Sequence, residues 1–292
     1  MTAPSRVTDQ TSAPAPARNS RPSAVRRKPR LRSPSLFEPI SGRAYLTIAV
    51  VSLAVLFGFW CALSYGNVVS RLFLPTPSQV WSAGVGELRD GTLKSDALDS
   101  VTRILSGFLI SSALAIPVGL MMGVHKRVEA ALEPPIDFIR YMPAVAFIPL
   151  TLIWFGTSGT QKIVILFIGI FFQEVLLIMD NVKTVPRQFV DMAYTLGLRP
   201  NQVILKVVLR ASLPGIVDTL RISMGWAWTY LVVAELVGAN SGLGFRIQQA
   251  ERYLNTPQIL LGIIVIGLLG LIFDFGFKVL YSRSFHYLAR SR

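Results

Sequence analysis

Apolar positions in this chain are gathered into runs close to the roughly 20 residues that cross a bilayer's hydrocarbon core. The first, Ala44 to Gly66, contains no charged residue. It exceeds the about 7 to 15 apolar residues of a cleavable signal peptide, which predicts a retained transmembrane helix. Further runs at Ile104–Val124, Tyr141–Gln161, Ile163–Met179, Ile222–Phe245 and Tyr253–Phe273 bring the predicted spans to six. Pro143 and Pro149 sit early in the third, where a helix entering from a loop tolerates kinks if its neighbours satisfy the freed carbonyls. Glu174 and Glu235 interrupt the fourth and fifth.

Polar segments separate these runs. Residues Met1 to about Ser35 are mostly Ala, Pro, Ser, Thr and Arg, too few of them apolar to offset chain entropy, which predicts disorder. The expected division is therefore a basic tail over residues 1–43, a transmembrane domain over 44–285 and a short tail over 286–292. Between the first two spans, Leu74-Pro75-Thr76-Pro77-Ser78 followed by Val80, Trp81 and Val85 reads as a rigid turn capping a short helix with an apolar face.

The loop over residues 181–221 carries more. Pro186 opens a helix with Phe189, Ala193 and Leu196 on one side, and Gly197 is placed to end it in a left-handed cap. Pro200 opens a second helix to about Arg210, with Val203, Ile204, Val207 and Val208 as its apolar stripe.

Composition agrees with a membrane protein. Hydrophobic residues make up 52% of the 292 and charged residues 15%, against roughly 25% charged in soluble domains. The net charge of +13 raises nucleic acid as a partner, and its distribution removes that reading. With a cytoplasmic N-terminus, the inside segments (the tail, 125–140, 180–221 and 274–292) carry 22 of the 29 Lys and Arg. Arg71, Arg89, Lys94, Arg103, Lys162, Arg246 and Arg252 are left outside. That asymmetry follows the positive-inside rule and places both termini in the cytoplasm.

The candidate chemistry is sparse. Cys61 is the only cysteine, so no intrachain disulfide or cysteine zinc site forms. His125 and His286 lack partners at metal-ligand spacing, and no cofactor or metal site is expected. No G-x-x-x-x-G-K-[ST] loop occurs, so ATP hydrolysis by this chain is not expected. Carboxylates at membrane depth are costly and are functional candidates by default. Glu235 is positioned to brace an outer gate through Arg246 or Arg252, or to cap a neighbouring helix. Glu174, beside Gln173, faces a dimer axis or satisfies a neighbouring hydroxyl. Arg103 is a cation for an anionic solute or a headgroup-level boundary residue, and Asp274 reads as an interfacial anchor.

Asp191-Met192-Ala193, Gly197 four residues later, then Val207, Leu209 and Leu213-Pro214 resemble the EAA loop of binding-protein-dependent ABC importer permeases. The family pattern is E-A-A, three residues, G, nine residues, I-x-L-P. Asp stands here for Glu, Met for the second position and Arg210 for the terminal Pro, with the spacing intact, and the break before the fifth span is left to Pro214. Leu74-Pro75-Thr76-Pro77, Arg103 with Gly107, Phe147 to Gly156, and Ala227-Trp228-Thr229 through Glu235 to Gly242-Leu243-Gly244 extend the likeness to the nitrate/sulfonate/taurine branch.

That resemblance implies an all-α, six-helix, type I importer permease in a bacterial inner membrane, packed among lipid and paired with a second copy of itself. It implies Asp191, Ala193, Gly197 and Leu198 as the residues coupling to a cytoplasmic ATPase. A periplasmic or lipoprotein binding protein would deliver a small, anionic solute. The competing expectation is an ion-coupled secondary transporter using Glu174 or Glu235, which leaves the helix–glycine–helix loop without a purpose.

Overall fold

The computed structural model describes residues 41–285. The expected tails, all but the last three residues of 1–43 and the whole of 286–292 with His286, lie outside the described residues. The chain divides into two units, at Leu53 and Ala54.

In chain order the helices are α1 (Gly42–Tyr65), α2 (Pro77–Arg89), α3 (Thr92–Val124), α4 (Lys126–Arg140), α5 (Ile148–Phe155), α6 (Gly159–Lys183), α7 (Arg187–Thr195), α8 (Pro200–Val203), α9 (Leu209–Gly238), α10 (Leu243–Arg252) and α11 (Thr256–Ser284). A 3-10 turn over Ala144–Phe147 precedes α5, and a π-turn over Ile204–Val208 joins α8 to α9. Thr76 caps α2 through the backbone N–H of Gln79, and the Gln79 side chain accepts the N–H of Thr76 in return. Pro77 at the first helical position needs no donor there. The Trp60 indole donates to the Pro75 carbonyl at 3.0 Å, which fixes this turn against the second half of α1.

Among the described residues, four helices, α1, α3, α6 and α11, are long and apolar enough to cross a bilayer. The predicted third span is instead a bent pair, the geometry of a broken span or a re-entrant loop: α4 and the 3-10/α5 segment pass the same test together but bend by 82°. Pro143, which cannot extend α4, stands at the break. Residues 125–140, expected as a loop, form the first arm of this pair. The predicted fifth span also shifts. Its helix begins at Leu209 and ends at Gly238, and Arg210, Asp218, Arg221 and Glu235 dilute its apolar character. Pro214 lies inside α9 and does not break it. The six-span count therefore resolves into four apolar helices, one bent pair and the more polar α9.

The core sits where α3, α6 and α9 meet. Ile104 and Phe108 of α3, Leu166 and Ile170 of α6, and Ala227, Trp228 and Leu231 of α9 are buried together. A second cluster, with Met122, Val175, Ile178, Val182, Val203 and Val208, closes the end that carries α7 and α8. Close approach of α3 and α6 needs Gly119: a Cβ there would lie 2.7 Å from the Val175 carbonyl oxygen and 2.8 Å from the Ile178 side chain.

Candidate functional site

The loop between α6 and α9 is built by local rules. Helix α7 ends at Thr195 with Leu196 as its C-cap, and Gly197 follows at φ +80°. The Gly197 N–H bonds the Tyr194 carbonyl at 2.9 Å and the Leu198 N–H reaches back to the Ala193 carbonyl at 3.1 Å, a Schellman cap. Arg199 then gives its N–H to the Gln202 side chain at 3.1 Å as α8 begins. Ala193 is buried and Leu198 packs on the same cluster, while Asp191 and Gly197 stay exposed. The expected stripe Val203, Ile204, Val207 and Val208 does face inward. The expected side of Phe189, Ala193 and Leu196 is split. Ala193 points in, whereas Phe189 is 49% and Leu196 74% exposed, alongside Met192 and Tyr194. Ala193 and Val190 seat α7 on the core, and its larger apolar residues are left outside.

At the opposite end of α9, Glu235 is fully buried. Its carboxylate accepts from Arg103 Nη1 at 2.7 Å, from Ser100 Oγ at 2.9 and 3.0 Å, and from the Gly244 N–H at 2.9 Å. Arg103 also donates to the Ser241 carbonyl and Oγ, at 2.8 and 2.7 Å. One turn back on α3, Asp96 takes the Gly242 N–H at 3.0 Å and two guanidinium nitrogens of Arg246 at 2.9 and 2.8 Å. Asp96, Ser100 and Arg103 form one face of α3 clamped on the turn before α10. Gly242 is required there: its φ is +108°, and a Cβ would run into the Glu235 carboxylate. Glu87 of α2, buried nearby, has its carboxyl pushed above the usual range, first by burial and then by Asp96 and Asp90, with Arg246 opposing.

A family model described as "Binding-protein-dependent transport system inner membrane component" matches residues 115–286, and with them both arms of the bent pair, the loop and the Glu235 turn. The chain belongs to this family. Members are the non-catalytic membrane component of ABC importers, working with a separate ATPase and a binding protein. The permease is 36% identical to the taurine transport system permease protein TauC of Escherichia coli strain K12, over 82% of its own length and 88% of the relative's. It is 33% identical to the putative aliphatic sulfonates transport permease protein SsuC of Bacillus subtilis strain 168, over 76% and 80%. The inward-facing MetNI methionine ABC transporter shares the fold, with a TM-score of 0.54 and 20% identity over 64% of the permease and 94% of the solved chain.

Of the membrane candidates in the permease, Glu235 and Arg103 come together and Glu174 stands apart. The expected partners of Glu235, Arg246 and Arg252, do not reach it; Arg246 is held by Asp96. Arg103 is therefore occupied by Glu235 and Ser241, and its side chain is only 16% exposed. Glu174 is also fully buried and accepts from Ser111 Oγ at 3.0 Å and Ser112 Oγ at 2.9 Å, the neighbouring-hydroxyl alternative. Asp274 pairs with Arg221 of α9 and with Lys278 at 2.8 Å.

Sequence reasoning missed Asp96, Ser100, Ser241 and Lys162. Lys162 is almost fully buried; it donates to the Thr157 carbonyl at 2.9 Å and to the Gly238 carbonyl, where a cation meets the negative end of α9. The i, i+4, i+7 spacing of Asp96, Ser100 and Arg103 was the available signal for one polar face.

Proposed function

We propose that this permease carries a small anionic solute of the sulfonate, taurine and nitrate class across the inner membrane, received from a binding protein and driven by ATPase subunits that dock on α7. The supporting observation is a single helical path. Helix α7 offers exposed Phe189, Met192, Tyr194 and Leu196 to a partner; Ala193 and Leu198 seat it on the core; and α8, the π-turn and α9 run on from Gly197 to Glu235. Thirty residues of α9 at about 1.5 Å each span about 45 Å, more than a bilayer core, so a push on the loop is delivered to the Arg103–Glu235 clamp. Asp191, Ala193, Gly197 and Leu198 are the coupling residues, and Glu235 with Arg103 is the latch of the gate at the far end. Glu174 holds α6 to α3 beside the path.

In this reading, two copies pair around the path, both termini are cytoplasmic, lipid covers the outer helices, and residues 44–285 form the transmembrane domain between basic and short C-terminal tails. The solute class comes from the relatives named for taurine and aliphatic sulfonates. The test is reconstitution of permease, ATPase and binding protein in proteoliposomes. Taurine uptake should require ATP and all three proteins. Ion-gradient-driven uptake by the permease alone, abolished by Glu174→Gln or Glu235→Gln, would replace this reading with a secondary transporter.

A further inference from the structure

The break in the third span puts a cation where the sequence placed none. Arg140, the last residue of α4, lines a cavity of about 220 Å³ together with Gln173 and Tyr230. Gln173 is fourteen residues from the start of α6 and ten from its end, about 21 and 15 Å along the axis, so the cavity is at mid-membrane depth. Arg140 Nε and Nη2 bond Asp137 Oδ1 at 3.2 and 2.8 Å, and its guanidinium stacks 4.7 Å from the Tyr141 ring centroid. Nη1 makes no hydrogen bond among the described residues, and neither does the Gln173 amide. An arginine held through Nε and Nη2 by a carboxylate and stacked on an aromatic ring, with Nη1 unbonded and a cavity beside it, is a preorganised anion receptor.

We propose that Arg140, with Gln173 and Tyr230, is the intramembrane recognition site for the solute's anionic group. The inference rests on the anionic-solute reading above and adds the residues that read the charge. Asp137 is the resident counter-ion: it keeps the guanidinium neutralised and aligned while the cavity is empty, and an arriving sulfonate shares the cation through Nη1. The Tyr230 ring lies against Gly169 of α6, where a Cβ would come within 2.5 Å of it, so the α9 wall of the cavity is fixed in place. An adjoining cavity of about 200 Å³, on the side toward α7, shares Arg140 and Gln173 but adds Glu133, Asp137 and Asp180. An anion is held at the Arg140 end and repelled beyond it, which favours brief residence over tight capture.

The experiment uses the complete complex in proteoliposomes, with taurine, methanesulfonate, nitrate and bicarbonate as probes, and reads uptake beside ATP hydrolysis stimulated by loaded binding protein. Arg140→Gln should lower uptake of the transported probe by about tenfold or more while stimulated hydrolysis stays within about twofold of wild type. Arg140→Lys, which keeps the charge but loses the fork, should recover part of it; a residue needed only to close the end of α4 would be fully replaced by Lys. Gln173→Glu, a change to a side chain without hydrogen bonds, should depress uptake in the same way and decides the matter if Arg140→Gln fails to assemble. Wild-type uptake by either Arg140→Gln or Gln173→Glu overturns the site and leaves the anionic-solute reading standing. Failure of the wild-type complex to move any of the four probes overturns that reading, and the site with it.

Discussion

Arg103 and Glu235 meet at 2.7 Å although 132 residues separate them in the chain. The pair ties α3 to the far end of α9, and Ser100, Ser241 and the Gly244 N–H satisfy what the ion pair leaves over. A buried ion pair is stabilising chiefly in the sense that removing one partner strands the other. Arg103→Gln and Glu235→Gln should each lower stability by about 3–5 kcal/mol, with the double variant far less than additive. Thermal unfolding of the purified protein in detergent measures this; strict additivity would show that the pair is not a unit.

The turn before α10 should be intolerant in a way the surface is not. Gly242→Ala forces a side chain into a conformation costing about 1–3 kcal/mol and onto the Glu235 carboxylate. Gly86→Ala, in the last turn of α2 with nothing within 4 Å, should gain up to about 1 kcal/mol. Opposite shifts of the melting temperature are expected, and equal shifts would dissolve the distinction.

Gly197 is constrained by its backbone rather than by neighbours, since no atom lies within 4 Å of an added Cβ. Gly197→Val should cost about 1–2 kcal/mol at the cap and leave the chain inserted in the membrane. Recovery of the ATPase with the permease and solute uptake should both be lost. Undiminished pull-down of the ATPase would remove Gly197 from the docking surface.

Glu87 gives a pH dependence. Its folded-state pKa lies above its unfolded value, so between the two the folded chain holds the proton more tightly and stability falls as pH rises through that interval. Glu87→Gln removes the buried charge. Its melting temperature should exceed that of wild type at about pH 8 and converge with it near pH 4, where both side chains are neutral. A constant difference at every pH would assign the effect to packing.

Orientation is tested by labelling in a background without Cys61. Ser95, Thr195 and Ser282 are all exposed. Ser95→Cys should react with an impermeant thiol reagent in intact cells, and Thr195→Cys and Ser282→Cys only after permeabilisation. Reaction of Thr195→Cys in intact cells would reverse the topology and remove the docking face from the cytoplasm.

By itself the sequence determined the features closed within a few residues. The Thr76 cap, the Gly197 turn and the inward stripe from Val203 to Val208 were readable because their hydrogen bonds and periodicity span at most about two helical turns. The apolar runs likewise announced a membrane protein, because a bilayer demands length and composition that no soluble helix needs. Tertiary structure decided who meets whom. Glu235 passes over the nearby Arg246 for Arg103, because the packing of α3 on α9 sets that distance and chain proximity does not. Pro143 was legible as a kink tolerated within one span but not as the 82° bend between α4 and the segment that begins at Ala144, since a proline removes a helical bond without choosing the direction of the next helix.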